Sequence, residues 1–159
     1  MARSSWPTRR SALVLVTGAA ALAMTASWAA EERVVTVHKD PNCGCCSGWV
    51  RHLQQAGFTV KAIDTAELDA VKTRLGVPAD LAACHTAEVA GYVVEGHVPA
   101  LALERFLAEK PDATGLAVPG MPIGSPGMGN DPKAKYEVFA VSRDPAAAPT
   151  VYYRAGEQA

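Results

Sequence analysis

The chain has 159 residues, of which 49% are apolar and 19% are charged. This balance excludes a disordered polyelectrolyte, since such chains have few apolar residues and a large net charge. The net charge is −1 and lysines and arginines form no block beyond the extreme N-terminus, so no basic surface for nucleic acid is expected. Aromatic residues make up only 6%, and we expect a core built mainly of Ala, Val and Leu.

The first 29 residues have the organisation of a cleavable export signal. Three arginines precede an apolar run at 12–24, and Ser27 and Ala29 follow as small residues at the −3 and −1 positions of a cleavage site. This run is too short to span a bilayer comfortably, so we expect cleavage near Ala29 and no membrane span afterwards; an uncleaved anchor is the alternative. The arginine pair matches a twin-arginine signal only in part, which leaves both export routes open. We therefore predict a periplasmic or otherwise exported protein.

The remaining residues, 30–159, form a single predicted domain with a core at about 34–154. In chain order, the pattern predicts a strand at 34–38, a turn carrying cysteines at 40–48, a helix at 49–56, a strand at 58–63, a helix at 67–75 and a short helical or irregular piece at 80–87. A strand at 90–95, a turn at 96–99, a helix from 99 to about 110 and strands at 136–141 and 150–154 follow. Gly57 closes the first helix and Pro99 opens the third.

Residues 115–130 read as a long loop, because three prolines and five glycines leave no regular element there. Loops of this length in a compact domain are usually functional or disordered. The initial strand, turn, helix and strand predict a βαβ unit with a right-handed connection. With Val98-Pro99 entering a later helix, the outline is that of a thioredoxin-like α/β fold: a small central sheet flanked by helices, with a long Pro/Gly/Met loop.

Three of the four cysteines, Cys43, Cys45 and Cys46, lie within four residues at the predicted strand-to-helix turn. Free backbone N–H groups and the positive end of the helix dipole stabilise a thiolate there, which lowers the pKa of the thiol. Such thiolates attack disulfides and also bind soft metal ions. A redox pair needs only Cys43 and Cys46, so the third thiol between them favours a metal site.

Two other interpretations of the cysteine turn remain open. The first is thiol–disulfide exchange, with Cys43 as nucleophile and Cys46 as resolving thiol. The second is a scaffold with structural disulfides, as exported proteins often have. A bridge between Cys45 and Cys46 would be strained, since adjacent α-carbons are about 3.8 Å apart and disulfides usually need at least about 4.4 Å.

Further ligand candidates lie later in the chain. Cys84 is the fourth thiol, His85 and His97 offer imidazole nitrogens, and Met121 and Met128 offer thioethers from the Pro/Gly loop. Each also has a structural interpretation, as a small apolar side chain, a solvated histidine or a loop side chain packed onto the domain. A three-thiol cluster with a distant cysteine and methionines suits Cu(I) better than zinc, because structural zinc sites usually use two separated cysteine pairs.

Four motifs, in this order, resemble one known family. They are Cys43-Gly44-Cys45-Cys46, Cys84-His85-Thr86-Ala87, Gly96-His97-Val98-Pro99 and the segment GLAVPGMPIGSPGM at 115–128. Together they are similar to the CopG-type copper-resistance proteins, long catalogued as a bacterial domain of unknown function. The resemblance covers residues 34–154, and one departure is Gly129, where the family pattern suggests an acidic residue.

The resemblance implies an exported, thioredoxin-like, metal-associated protein whose thiols bind Cu(I), as one or more ions. The thiols that match are those of Cys43, Cys45, Cys46 and Cys84, and the other motif positions that match are Met121, Met128, His85 and His97. Our leading hypothesis is a copper-binding protein that contributes to copper resistance or homeostasis, with copper ions and other periplasmic copper-handling proteins as partners. A copper-linked or thiol–disulfide oxidoreductase and a disulfide scaffold are the alternatives, so an enzymatic activity stays open.

Overall fold

Residues 33–157 are described by a computed structural model, and seven strands within them form one mixed sheet. The elements in chain order are β1 (Val34–Lys39), α1 (Gly44–Gln55), β2 (Thr59–Asp64), α2 (Leu68–Arg74), a 3-10 turn (Ala79–Leu81), β3 (His85–Val89), β4 (Tyr92–Gly96), α3 (Ala100–Glu109), β5 (Gly115–Val118), β6 (Tyr136–Val141) and β7 (Thr150–Ala155). The predicted α/β class is confirmed. The thioredoxin-like description is more specific and stays a prediction, and the predicted export signal lies outside the described residues.

The strands lie in the order β2-β1-β3-β4-β5-β6-β7. β1 and β2 are parallel and are connected through α1, and β4 and β5 are parallel and are connected through α3. Both connections contain a helix because parallel neighbours need a long crossover. The other neighbouring strands are antiparallel. The predicted initial βαβ unit is therefore present.

The main core lies between the sheet and the helices α1 and α3. Alternate residues of β1 point inward, so Val35 and Val37 are fully buried. They belong to one apolar cluster with Trp49 of α1 and Phe106 of α3. Burying a large apolar side chain contributes about 1.5–3 kcal/mol, so this cluster holds both helices, and the turns that precede them, against the sheet.

Three predicted elements differ from the structure. Helix α1 begins at Gly44 rather than at residue 49, because Cys43 caps it. Residues 85–89, predicted as helical or irregular, form β3, which pairs with both β1 and β4. The first residues of the predicted loop form the fully buried strand β5. In both strand cases, pairing with neighbours on two sides outweighs weak local propensity.

Two further observations concern the ends of the elements. The Val98–Pro99 peptide bond is trans, since residues 33–157 contain no cis peptide bond. Pro99 precedes α3 as its cap, and Lys110 ends that helix in a left-handed conformation. Within the described part of the chain, no helix has the length and apolar character needed to cross a bilayer.

Candidate metal centre

All four cysteine sulfurs lie within 4.8 Å of one another. Cys45 Sγ is 3.5 Å from Cys43 Sγ and 3.7 Å from Cys84 Sγ. Cys43 and Cys46 form a disulfide, with their α-carbons 5.3 Å apart, whereas Cys45 and Cys84 are free. The fold thus brings Cys84 to the cysteine turn and forms a compact group of sulfur donors.

The cysteine turn is shaped by the start of α1. Cys43 is the N-cap residue, and its Sγ accepts a hydrogen bond from the Cys46 N–H at 3.3 Å. Cys45 and Cys46 then occupy the first helical turn, where unpaired N–H groups and the helix dipole favour negative charge. The three sulfurs are therefore gathered by one helix end, at a position that stabilises thiolates.

Cys84 reaches this turn through the pairing of two strands. The register of β1 and β3 places Lys39 opposite His85, so Cys84 lies beside the end of β1, where the chain turns toward Cys43. Cys46 Sγ is 3.4 Å from the carbonyl oxygen of Cys84. The antiparallel pairing thus also accounts for the contact of Cys84 with Cys45, which is 39 positions away in the chain.

A buried polar group fixes the segment before Cys84. Glu95, which is fully buried, accepts the Ala83 N–H at 2.6 Å and pairs with Lys72 Nζ at 2.5 Å. Thr86 donates to the second Glu95 oxygen at 2.7 Å and accepts from Lys72 at 2.9 Å. Since each member has partners, the buried charges are compensated, and the backbone at residue 83 is held next to β4.

Two buried histidines contact the Cys84 sulfur. His97 Nε2 is 3.1 Å from Cys84 Sγ, and His85 Nδ1 is 3.4 Å from it. Neither ring is exposed, and the His85 ring packs on Trp49 with centroids 4.4 Å apart. The donor atoms of Cys84, His85 and His97 form a second group within 4.8 Å, so the fold joins nitrogen donors to the sulfur donors at Cys84.

Burial determines the protonation of these groups. It lowers the pKa of His97, and it lowers the pKa of His85 to about 3, with His97 and Lys72 adding to the effect. The Gly96 backbone has a smaller effect that raises the pKa of His85. No hydrogen bond of adequate geometry reaches Nε2 of that ring. Both rings are therefore neutral near pH 7, the form in which imidazole binds metal.

Burial also raises the pKa of the Cys84 thiol to about 12, and the neighbouring Cys45 adds to this increase. Cys84 consequently keeps its proton at neutral pH in the metal-free protein. A metal ion must displace that proton to form a thiolate bond.

The Pro/Gly loop brings one of its two methionines to the thiols. Met121 Sδ lies 3.9 Å from Cys45 Sγ, and 51% of this residue is exposed. Met128 instead closes the loop through its backbone: its N–H donates to Ser125 O at 2.8 Å, and its carbonyl accepts the Gly124 N–H at 2.7 Å. Within residues 33–157, no sulfur contact joins Met128 to the cluster.

Two glycines allow this loop to lie directly against α1. A Cβ on Gly48 would be 2.8 Å from the α-carbon of Gly127, and a Cβ on Gly127 would be 2.9 Å from the Trp49 nitrogen. Gly127 also has a φ of +92°, which other residues rarely adopt. Glycine at both positions therefore permits the close approach that places Met121 beside Cys45.

Several residues that shape the site were not singled out from the sequence. Ser125 contacts His97, and Lys72 and Glu95 fix the segment before Cys84. Ser125 lies within a motif that the sequence did mark, but a lysine and a glutamate far apart in sequence carry no such signal. His52 lies outside this site: its Nε2 accepts the Ala100 N–H at 3.0 Å and so caps α3.

One family model and two solved structures match this chain. The family model described as "Protein of unknown function, DUF411" matches residues 81–128. A solved structure described as "Copper resistance protein copG- Form 1" is 43% identical, with a TM-score of 0.71, and the match covers 78% of this chain and 98% of that chain. Its Form 2 is also 43% identical, with a TM-score of 0.69 and coverage of 76% and 96%.

No curated protein sequence matches the chain significantly. The segment matched by the family model contains Cys84, both site histidines and both loop methionines. The copper-resistance structures match over most of this chain and nearly all of their own length. The sulfur cluster and this extent of identity together point to a copper-related role, and the chain belongs to the CopG family of copper-resistance proteins.

Proposed function

We propose that this protein is exported and binds Cu(I) through the thiolates of Cys43, Cys45, Cys46 and Cys84, and that it contributes in this way to copper resistance or homeostasis. The observation that carries the proposal is the gathering of four sulfurs within 4.8 Å. Thiolate and thioether sulfurs are soft donors and select Cu(I). Met121 supplies a thioether at the edge of this group, and a copper-resistance protein of solved structure matches 78% of this chain.

Loading the complete site requires reduction of the Cys43–Cys46 disulfide. Two electrons and two protons convert that disulfide into two thiols, and a thiol reductant of the exporting compartment would supply them. Each thiol then exchanges its proton for copper. The oxidised protein keeps only the free thiols of Cys45 and Cys84, so its copper capacity should be lower.

The charge of the site supports more than one ion per chain. Four thiolates around one Cu(I) would carry a net charge of −3, which is costly in a buried position. Each further Cu(I) that shares these sulfurs reduces the negative charge by one. Cys46 is fully buried and the other three cysteines are half-buried, so part of this penalty applies to the cluster.

Anaerobic titration of Cu(I) into the fully reduced protein tests both the binding and the stoichiometry. We expect saturation above one copper per chain, measured by elemental analysis after removal of weakly bound metal. Saturation at one ion would reject the multinuclear site, and retention of none would reject copper binding. Protein with the disulfide intact is the matched control. His52→Gln, which alters a histidine that caps α3, tests for effects outside the cluster.

A second candidate function is thiol–disulfide exchange. The Cys43–Cys46 disulfide lies at a helix start, and the free Cys45 sulfur is 3.5 Å from Cys43 Sγ. Reduction of insulin disulfides measures this activity directly. If Cys45→Ser removes metal loading and leaves exchange intact, the two activities are separate. Absence of exchange in the wild-type protein would reject this second function.

Export is tested on protein isolated from its native compartment. We expect the mature chain to begin near residue 30 and to be recovered from the periplasm or another exported fraction. A chain recovered with its first 29 residues in the cytoplasm would contradict this location. Elemental analysis of the same material identifies the metal carried in the cell. Zinc in place of copper would contradict the metal assignment.

A further inference from the structure

We propose that Ser125 fixes the tautomer of His97 and thereby makes His97, rather than His85, the nitrogen ligand of the metal centre. The inference rests on the copper-binding function proposed above and adds to it a positioning residue from the Pro/Gly loop. Ser125 and His97 are both fully buried. Their contact joins the loop to the sulfur cluster through one imidazole ring.

The direction of the Ser125 hydrogen bonds follows from the number of protons available. Ser125 Oγ lies 2.6 Å from the carbonyl oxygen of Pro122, which can only accept, so the hydroxyl proton points there. Ser125 Oγ is also 3.0 Å from His97 Nδ1. A hydroxyl has a single proton, so in this second contact Nδ1 must donate and Ser125 must accept.

This arrangement leaves a lone pair on the other nitrogen of His97. A neutral imidazole carries one proton, and here Nδ1 holds it, so Nε2 is unprotonated. Nε2 lies 3.1 Å from Cys84 Sγ. In the metal-free protein the Cys84 thiol can donate to this lone pair. If a metal ion displaced the thiol proton, the same lone pair would be available to an ion held by the Cys84 sulfur.

The distance between the two donors suits a shared ion. Zinc, for which such distances are well defined, lies about 2.0–2.1 Å from histidine nitrogen and about 2.3 Å from cysteine sulfur. At a tetrahedral angle these bonds place nitrogen and sulfur about 3.5 Å apart. The observed 3.1 Å between His97 Nε2 and Cys84 Sγ therefore needs to open by only a few tenths of an ångström.

His85 lacks the support that His97 has. Its Nδ1 faces Cys84 Sγ at 3.4 Å, but its Nε2 is buried without a hydrogen-bond partner. Metal-binding histidines nearly always donate their second N–H to a neighbouring group. If His85 bound metal through Nδ1, its Nε2 proton would have no acceptor of adequate geometry, since the nearby Gly96 backbone forms no well-aligned hydrogen bond with this atom. The geometry instead suits an Nδ1–H donated to the Cys84 sulfur.

The first test measures the tautomer without metal. Long-range proton–nitrogen NMR spectra of the ¹⁵N-labelled, reduced protein at about pH 8, above the usual histidine pKa, distinguish protonated from unprotonated ring nitrogens. We expect His97 to carry its proton on Nδ1. A wild-type His97 with its proton on Nε2 would overturn the proposal, whether or not the protein binds copper.

The second test measures the contribution of Ser125. In Ser125→Ala we expect a mixture of His97 tautomers and a Cu(I) affinity about 10–100-fold lower, as for other residues that support metal ligands. Ser125→Thr retains the hydroxyl and should restore both. Thr114→Ala is the matched control, because Thr114 also donates a hydroxyl to a backbone carbonyl, that of Ser142, at 2.9 Å. An unchanged tautomer in Ser125→Ala would refute the role of Ser125.

The two histidines are then compared directly. We expect His97→Gln to lower the Cu(I) affinity more than His85→Gln does, both measured by competition with a chromophoric Cu(I) chelator. The reverse order would refute the assignment. If wild-type protein binds no copper while His97 has the expected tautomer, the proposed function fails and the Ser125–His97 relationship stands.

Discussion

Cys45 Sγ lies 3.7 Å from Cys84 Sγ, although 39 residues separate the two in the chain. This contact depends on the pairing of β1 with β3 and on the start of α1. Neither cysteine is in the disulfide. The contact therefore results from folding of the sheet and not from a covalent bond between the two residues.

The buried Lys72–Glu95 pair should be essential to the stability of the segment before Cys84. Removing one partner of a buried ion pair typically costs about 3–5 kcal/mol, and we expect Glu95→Ala to lower the free energy of unfolding by about this amount. Urea unfolding measures the change. Asp112→Ala is the control, because the Asp112–Arg143 pair is exposed and should contribute about 0–1 kcal/mol. Equal effects of the two substitutions would contradict the positioning role of Glu95.

The close approach of Gly48 and Gly127 should control the position of Met121. We expect Gly127→Ala to displace the loop from α1 and to destabilise the protein by about 1–3 kcal/mol, as overpacking commonly does. The Cys45–Met121 contact should also be lost, which methyl chemical shifts of Met121 would report. Gly44→Ala is the control because a Cβ there meets no atom within 4 Å. A Gly127→Ala protein with wild-type stability and unchanged Met121 shifts would show that the contact is not required.

Binding of Cu(I) to Cys84 should release a proton throughout the neutral range. The pKa of this thiol is raised to about 12, so the thiol is protonated at every pH well below that value. The apparent affinity should therefore fall about tenfold, for this proton alone, with each unit by which the pH is lowered. Calorimetry in buffers of different ionisation enthalpy counts the released protons. Cys84→Ser should release one proton fewer, and an unchanged count would contradict a thiolate bond at Cys84.

Acid should destabilise the metal-free protein through its buried histidines. The pKa values of His52, His85 and His97 are all lowered in the folded state, that of His85 to about 3. The unfolded chain therefore binds more protons than the folded chain below the ordinary histidine pKa of 6.5, and stability falls as the pH drops from there toward about 3. Unfolding by urea at a series of pH values measures the slope. His85→Phe should reduce it, whereas a stability independent of pH in this window would contradict neutral burial.

The sequence predicts those parts of the fold and the site that depend on the residue types within one short segment. Three thiols at a helix start are evident from spacing, and the strand at 34–38 is evident from its run of apolar, β-branched residues. The strand at 136–141 is also predicted from the sequence. The start of α1 was placed too late because cysteine is an unusual cap. Strand β5 was missed because its four residues directly precede a Pro/Gly-rich segment, and its stability comes from pairing with β4 and β6.

Long-range relationships account for the remaining differences. Met121 and Met128 both lie in the Pro/Gly loop and both carry a thioether, so the sequence does not distinguish them. Within the described residues, only Met121 contacts Cys45. Ser125 acquires its contact with His97 from the folded loop. Lys72 and Glu95 come from α2 and β4, and nothing in local sequence pairs them. Such contacts depend on the complete topology and could not be read from composition or periodicity.

The donors around Cys84 come from four stretches of chain, at 43–46, 84–85, 97 and 121. An ion held by several of them would act as a cross-link between segments that are distant in sequence. A ligand that binds only the native state at 100 times its dissociation constant stabilises that state by about 2.7 kcal/mol. Melting temperature and resistance to proteolysis should consequently rise with copper supply, so that the amount of protein surviving in the cell would itself report the metal it encounters.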